Sequence, residues 1–152
     1  YMGEETFMPC TPKSVVTILN SLNINLEGMD VVVIGRSNIV GKPTGALLLK
    51  ENCTVTMCHS KTKNLREVCK RSDILVVAIG KAKFIDDSFV KEGAIVIDVG
   101  TNSVQGKITG DVDFDKVIDK ASFVTPVPGG VGALTTTLLM KNACEAIEKY
   151  ED

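Results

Sequence analysis

"VVVIGRSNIVGKP", residues 31–43, decides how the rest of the chain is read. Four apolar β-branched residues, the composition of a buried strand, run into Gly35, Arg36 and Ser37, and a second glycine, Gly41, precedes Lys42 and Pro43. In a dinucleotide fingerprint of the form G-x-G-x-x-G, the glycines let the chain turn tightly after a strand and let its backbone approach a pyrophosphate. Here the spacing is G-R-S-x-x-x-G, with Ser37 where the second glycine would stand. Proline suits a first helical turn, where its missing N–H needs no partner. Two readings follow from these thirteen residues: an anion cradle between strand and helix, or a plain strand-to-helix turn.

Working outward, β-rich runs recur at 31–35, 54–58, 74–80, 94–100 and 123–127. Helical spacing or helix-forming composition separates them at 43–51, 63–71 and 114–120, with a short turn near 86–91. Flanking helices are predicted at 12–22 and 134–150. Runs that are apolar on both faces belong in the covered middle of a parallel sheet. The pattern predicts an α/β fold, a Rossmann-like doubly wound parallel sheet with helices on both faces. Ligands in such sheets sit beyond the carboxyl ends of the strands, so the loops after Ile34, Cys58, Ile79, Val99 and Val127 are predicted to line one crevice.

The second strand narrows the ligand. An NAD site places Asp or Glu about 20 residues past the fingerprint, on the ribose 2′-hydroxyl. No carboxylate occurs between Asn52 and Arg66, and the strand ends in Cys58-His59-Ser60-Lys61. A hydroxyl, an imidazole and the Arg36 guanidinium can all donate to a 2′-phosphate that a carboxylate would repel. Two charge-assisted hydrogen bonds favour NADP by roughly 100-fold or more before solvent discounting. NADP is therefore the expected cofactor, with Gly35, Arg36, Ser37, His59 and Ser60 as candidate binding residues. His59 as a ligand-free, half-buried side chain and Arg36 as a solvated loop charge are the alternatives.

Composition restricts the partners. The chain has 152 residues, a formal net charge of −2 and a hydrophobic share of 44%, the profile of one soluble domain with a core of its own. No run of basic residues suggests nucleic acid, and no apolar stretch is long enough for a bilayer. Neither nucleic acid nor membrane is an expected partner, and the cytoplasm is the expected location. Five cysteines without a C-x-x-C pair, beside a single histidine, predict no metal site and reduced, partly buried thiols. The sequence opens on Tyr1 rather than Met, which suggests a piece of something longer.

Two later segments complete the crevice. Asp98 closes "VIDVG", either as a catalytic group or as an acceptor of backbone N–H groups. "TPVPGGVG", 125–132, holds two prolines and three glycines in eight residues, a loop that is stiff yet able to approach a flat ligand closely. One of its X-Pro bonds is a candidate for the cis form, and a rigid connector is the plainer reading.

"PCTP" (9–12), "VIGRSNIVGKP" (33–43), "TVTMCHSKTKNL" (54–65), "DILVVAIGK" (73–81), "GAIVIDVGTN" (93–102), "GDVDF" (110–114) and "TPVPGGVG" (125–132) together resemble, in order, the bifunctional methylenetetrahydrofolate dehydrogenase/methenyltetrahydrofolate cyclohydrolase family. The resemblance covers nearly the whole chain. It implies a homodimer of two-domain subunits that oxidises 5,10-methylenetetrahydrofolate with NADP and hydrolyses the methenyl product to 10-formyltetrahydrofolate, in one-carbon metabolism and purine biosynthesis. It also implies that Gly35, Arg36 and Ser37 bind the cofactor, that Arg36 and Ser60 meet the 2′-phosphate, and that Thr101 sits beside the nicotinamide. Pro128, Gly129, Gly130, Val131 and Gly132 would lie by the tetrahydrofolate derivative.

The family's catalytic lysine and tyrosine come from a Y-x-x-x-K motif in an N-terminal folate domain, and neither Tyr1 nor Tyr150 is followed four residues on by lysine. Residues 1–152 are thus expected to form the NAD(P)-binding domain alone, with no catalytic residue of their own. Two departures stand out: "GTN" at 100–102 where the family has "GIN", and "GVGALT" at 130–135 where it has "GVGPMT". Competing readings are another NADP-dependent dehydrogenase domain, of shikimate or aminoketone type, and a non-catalytic nucleotide-binding module.

Overall fold

The computed structural model describes residues 8–150; Tyr1 lies outside them. Five parallel strands form the central sheet: β1 (Asp30–Ile34), β2 (Thr54–Cys58), β3 (Ile74–Val77), β4 (Ile95–Asp98) and β7 (Phe123–Val124). Their spatial order is β2-β1-β3-β4-β7. A two-stranded antiparallel hairpin, β5 (Asn102–Val104) with β6 (Lys107–Thr109), stands apart from the sheet. The helices are α1 (Cys10–Ser21), α2 (Gly41–Lys50), α3 (Leu65–Cys69), α4 (Phe114–Val117) and α5 (Val131–Tyr150), with a 3-10 turn at Asp87–Phe89.

Side chains alternate between the two faces of a strand, and each face here finds its own helices. Val31, Val33, Ile74, Val76, Ile95 and Ile97 pack under α1, α2 and α5, through Val15, Leu19, Leu48 and Val131. Val32, Ile34, Leu75, Val77 and Val96 face the other way, against Cys69 of α3, Phe89 and Val117 of α4. Leu19, Leu48 and Ile74 are completely buried, each contributing about 1.5–3 kcal/mol by leaving water. The doubly wound sheet with helices on both faces is as the alternation of elements predicts.

Strand β2 departs from that prediction: it is an edge strand, not a covered one. Thr54 and Thr56 are exposed, Val55 is half-buried and only Cys58 is fully buried. The two threonines carry the edge's polarity, which an apolar count of "TVTMC" conceals. Strands β3 and β4 also end earlier than predicted, at Val77 and Asp98: the Ala78 and Val99 amides still donate to a neighbouring strand, but those of Ile79 and Gly100 turn to carboxylate acceptors. Helix α2 begins at Gly41 and α5 at Val131, two and three residues earlier than the sequence suggests. Proline at 43 falls inside the first turn of α2, where it costs no hydrogen bond.

Candidate cofactor site

The sheet reverses its winding between β1 and β3, and at such a switch point the loops on either side diverge to leave a crevice. The register of β1 with β2, from Asp30 opposite Thr54 to Ile34 opposite Cys58, ends in a hydrogen bond from the Gly35 amide to the Cys58 carbonyl at 2.9 Å. Gly35-Arg36 and His59-Ser60 therefore leave adjacent strand ends. On the other side, the Ala78 amide donates to the Ile34 carbonyl at 2.8 Å.

Gly35 sits where those chains meet. Its φ is +132°, and a Cβ on it would overlap the Ala78 carbonyl oxygen. Gly41 is equally constrained, since its Cβ would overlap the Gly35 carbonyl. Residues 35–41 thus fold back so closely on backbone that neither glycine position has room for a side chain. Ser37 secures the loop: its Oγ accepts from the Val40 and Gly41 amides at 3.1 and 3.3 Å, and its carbonyl accepts from the Lys42 amide at 3.0 Å. The Lys42 ammonium donates to Asn38 Oδ1 at 2.7 Å. Among the described residues, the amides of Arg36, Ser37, Asn38 and Ile39 have no protein acceptor. Open amides, a glycine cradle and a Ser37 hydroxyl proton left over after its oxygen has accepted twice form a donor set that fits a phosphate.

Arg36 is exposed and, among the described residues, makes no ion pair or hydrogen bond. Ser60 is exposed as well. His59 is half-buried and tied into its own turn: its Nδ1 accepts from the Lys61 amide at 3.1 Å and its amide donates to Thr62 Oγ1 at 2.9 Å. In the neutral ring this leaves the proton on Nε2. The five candidates of the first crossover lie at neighbouring strand ends, whereas Thr101 stands exposed across the switch point, between β4 and the hairpin.

The glycine-proline loop leaves β7 on the same edge. Thr125 is buried and its Oγ1 accepts from the Asp98 amide at 2.8 Å, the Val127–Pro128 peptide is cis, and Gly129 has a φ of +107°. The Gly130 amide closes the loop onto the Pro126 carbonyl at 2.9 Å. Pro128, Gly129 and Gly132 are exposed, and Val131 turns into the core. Beside the loop lies a cleft of about 280 Å³ with Lys83, Phe114 and Val127 in its wall.

Asp98 resolves in favour of the structural alternative. Its Oδ1 accepts from the Gly100 and Asp111 amides at 2.9 and 3.1 Å, and its Oδ2 from the Val112 amide at 2.9 Å. Burial pushes the carboxyl up to about 6, against the pull of the three amides and with a smaller push from the Asp111 charge. Sequence reading missed Asp111 itself, which is fully buried and accepts four hydrogen bonds. Three of the four donors are backbone amides, which leave no signal in the sequence.

Residues 9–151 match the family model described as "Tetrahydrofolate dehydrogenase/cyclohydrolase, NAD(P)-binding domain". The chain belongs to this family. It is 74% identical, over all of its 152 residues, to 54% of the length of a "Bifunctional protein FolD" from Clostridium botulinum. Among solved structures, the bifunctional FolD dehydrogenase/cyclohydrolase of Campylobacter jejuni superposes with a TM-score of 0.93 at 46% identity, over 96% of this chain and 52% of that one. The Trypanosoma brucei enzyme, solved in complex with NADP cofactor and an inhibitor, gives a TM-score of 0.88 at 38% identity, over 94% of this chain and 51% of that one. The chain thus spans about half the length of the tetrahydrofolate dehydrogenase/cyclohydrolase relatives that it matches. As an NAD(P)-binding domain of this family, it is set apart from the shikimate-type and aminoketone alternatives.

Proposed function

We propose that this chain is the NADP-binding part of an enzyme that oxidises 5,10-methylenetetrahydrofolate to the 5,10-methenyl form and hydrolyses that product to 10-formyltetrahydrofolate. The observation that carries the cofactor choice is the pairing of the β1 and β2 ends, which brings the exposed Arg36 beside a carboxylate-free His59-Ser60 turn. Arg36 and Ser60 take the 2′-phosphate, and His59 supports them by fixing the turn and offering its Nε2 proton. Gly35 and Ser37 admit and bind the pyrophosphate through the open amides and the Ser37 hydroxyl. Thr101 lies against the nicotinamide, and Pro128 to Gly132 present backbone to the folate.

When bound, the nicotinamide supplies a hydride acceptor, and the protein's share is to orient it and exclude water. This chain contributes binding and positioning, while the groups that move protons at the one-carbon bridge come from the other half of the full-length enzyme. A homodimer, a cytoplasmic location and a place in purine biosynthesis follow from the resemblance. The NADP held by the trypanosomal relative supports the same cofactor here.

The test joins this chain to its folate-binding half and follows NADPH formation. Formation that depends on 5,10-methylenetetrahydrofolate supports the proposal; none with that substrate, in a protein that binds NADPH, overturns it in favour of a non-catalytic module.

A further inference from the structure

We propose that Asp111 is a positioning residue for the nicotinamide end of the cofactor, acting through the loop that follows β3; this rests on the NADP reading above. The Asp111 carboxylate is wholly buried and has no cationic partner among the described residues. Its Oδ2 accepts from the Ile79 and Gly80 amides at 2.7 and 2.9 Å, and its Oδ1 from the Lys81 amide at 2.8 Å and the Asn102 side-chain amide at 2.9 Å. Four donors meet the four lone-pair positions of one carboxylate.

Those amides have no other acceptor among the described residues, so one side chain sets the direction of three consecutive peptide groups. The loop they form leaves the sheet at β3, across the switch point from Arg36. Asn102 extends the same anchor to the segment after β4, where Thr101 stands, and Gly100 is glycine because a Cβ there would overlap the Asp111 carboxyl. A dinucleotide lying across the switch point, with its adenosine end on the β1–β2 side, must place its other end over β3 and β4. Asp111 holds both loops at that end and touches nothing at the adenosine end. An unpaired buried carboxylate is expensive unless its hydrogen bonds are complete; here their completeness fixes a loop.

The experiment titrates the full chain, as wild type, Asp111→Asn and Asn102→Ala, with NADPH and with adenosine 2′,5′-bisphosphate, which carries the adenosine end alone. Asparagine turns an NH2 toward amides that need an acceptor, so the loop loses part of its anchor. Asp111→Asn is expected to raise the NADPH Kd about tenfold or more while leaving the bisphosphate Kd within about twofold. Asn102→Ala, which keeps the carboxylate and its three backbone bonds, is expected to follow the same pattern more weakly and carries the test if Asp111→Asn does not fold. Parallel weakening of both ligands, or of neither, overturns the inference. Failure of the wild-type chain to bind the bisphosphate overturns instead the cofactor reading beneath it.

Discussion

The Asp111 amide donates to Asp98 Oδ1 at 3.1 Å, so two buried acidic residues thirteen positions apart are joined backbone to side chain. Each carboxylate then spends its oxygens on the loop beyond it: Asp98 on Gly100 and Val112, Asp111 on residues 79–81 and Asn102. Two carboxylates thereby organise three of the chain crossings along the carboxyl edge of the sheet, with glycine at positions 100 and 110 to admit them.

Asp98→Asn keeps one carbonyl oxygen but sets an NH2 against an amide that needs an acceptor. The expected loss of stability is about 1–3 kcal/mol, read from urea unfolding midpoints. The pH dependence has a definite sign. Because the folded-state value of about 6 stands above the ordinary 3.8, the native protein holds this proton more tightly than the unfolded chain. The group's contribution is therefore greatest at low pH and is lost as pH rises from about 4 to 6. The stability of wild type relative to Asp98→Asn should decline across that window and be level above it.

Gly35→Ala drives a Cβ into the Ala78 carbonyl from a backbone conformation that side chains rarely adopt. Strain of this kind costs about 1–3 kcal/mol by itself, and its relief must part β1 from β3 at the crevice. Thermal unfolding should show the loss, and NADPH binding should fall with it. Gly132→Ala, with no atom near the added Cβ, should leave the unfolding temperature unchanged or slightly higher.

Ser37→Ala removes the acceptor for the Val40 and Gly41 amides at the entry to α2. A cost of about 1 kcal/mol is expected from the hydrogen bonds lost by these two amides, together with weaker NADPH binding. Ser37→Thr, which retains the oxygen, should recover most of the stability in the same denaturation measurement.

Cys53, Cys58 and Cys69 are buried, Cys10 is half-buried and Cys144 is exposed. Burial pushes the Cys69 thiol up to about 12, with a smaller contribution from Cys58. An aromatic disulfide reagent should therefore modify Cys144 first and Cys10 more slowly, and the remaining three only after denaturant unfolds the chain. Modification of Cys69 at the rate of Cys144 in native protein would contradict the packing beneath α3.

Much of this was legible in the order of the elements. The runs "VVVIG", "ILVVA" and "AIVI" are apolar throughout, so their place in a covered parallel sheet is written in composition, and the glycines of the first crossover announce a close approach. Strand β2 was misread because threonine is both a good strand former and a good edge residue. The hairpin β5–β6 went unseen because "NSVQGKIT" has little apolar periodicity, its turn resting on Gln105 and Gly106 at positive φ. Asp111 was invisible for a different reason: its partners are backbone amides of residues 79–81, and a backbone amide carries no sequence signature. Ser37 is a candidate from the sequence alone, but the bonds that tie its oxygen to the Val40 and Gly41 amides show only in the fold.

The central claim is that Arg36, at the paired ends of β1 and β2, selects the phosphorylated dinucleotide. Titrating wild type and Arg36→Ala with NADPH and NADH, and reading nicotinamide fluorescence, tests it most directly. Wild type should bind NADPH far more tightly than NADH, and the substitution should weaken NADPH about tenfold to a hundredfold with little change for NADH. Equal weakening of both dinucleotides, or none of either, would contradict it.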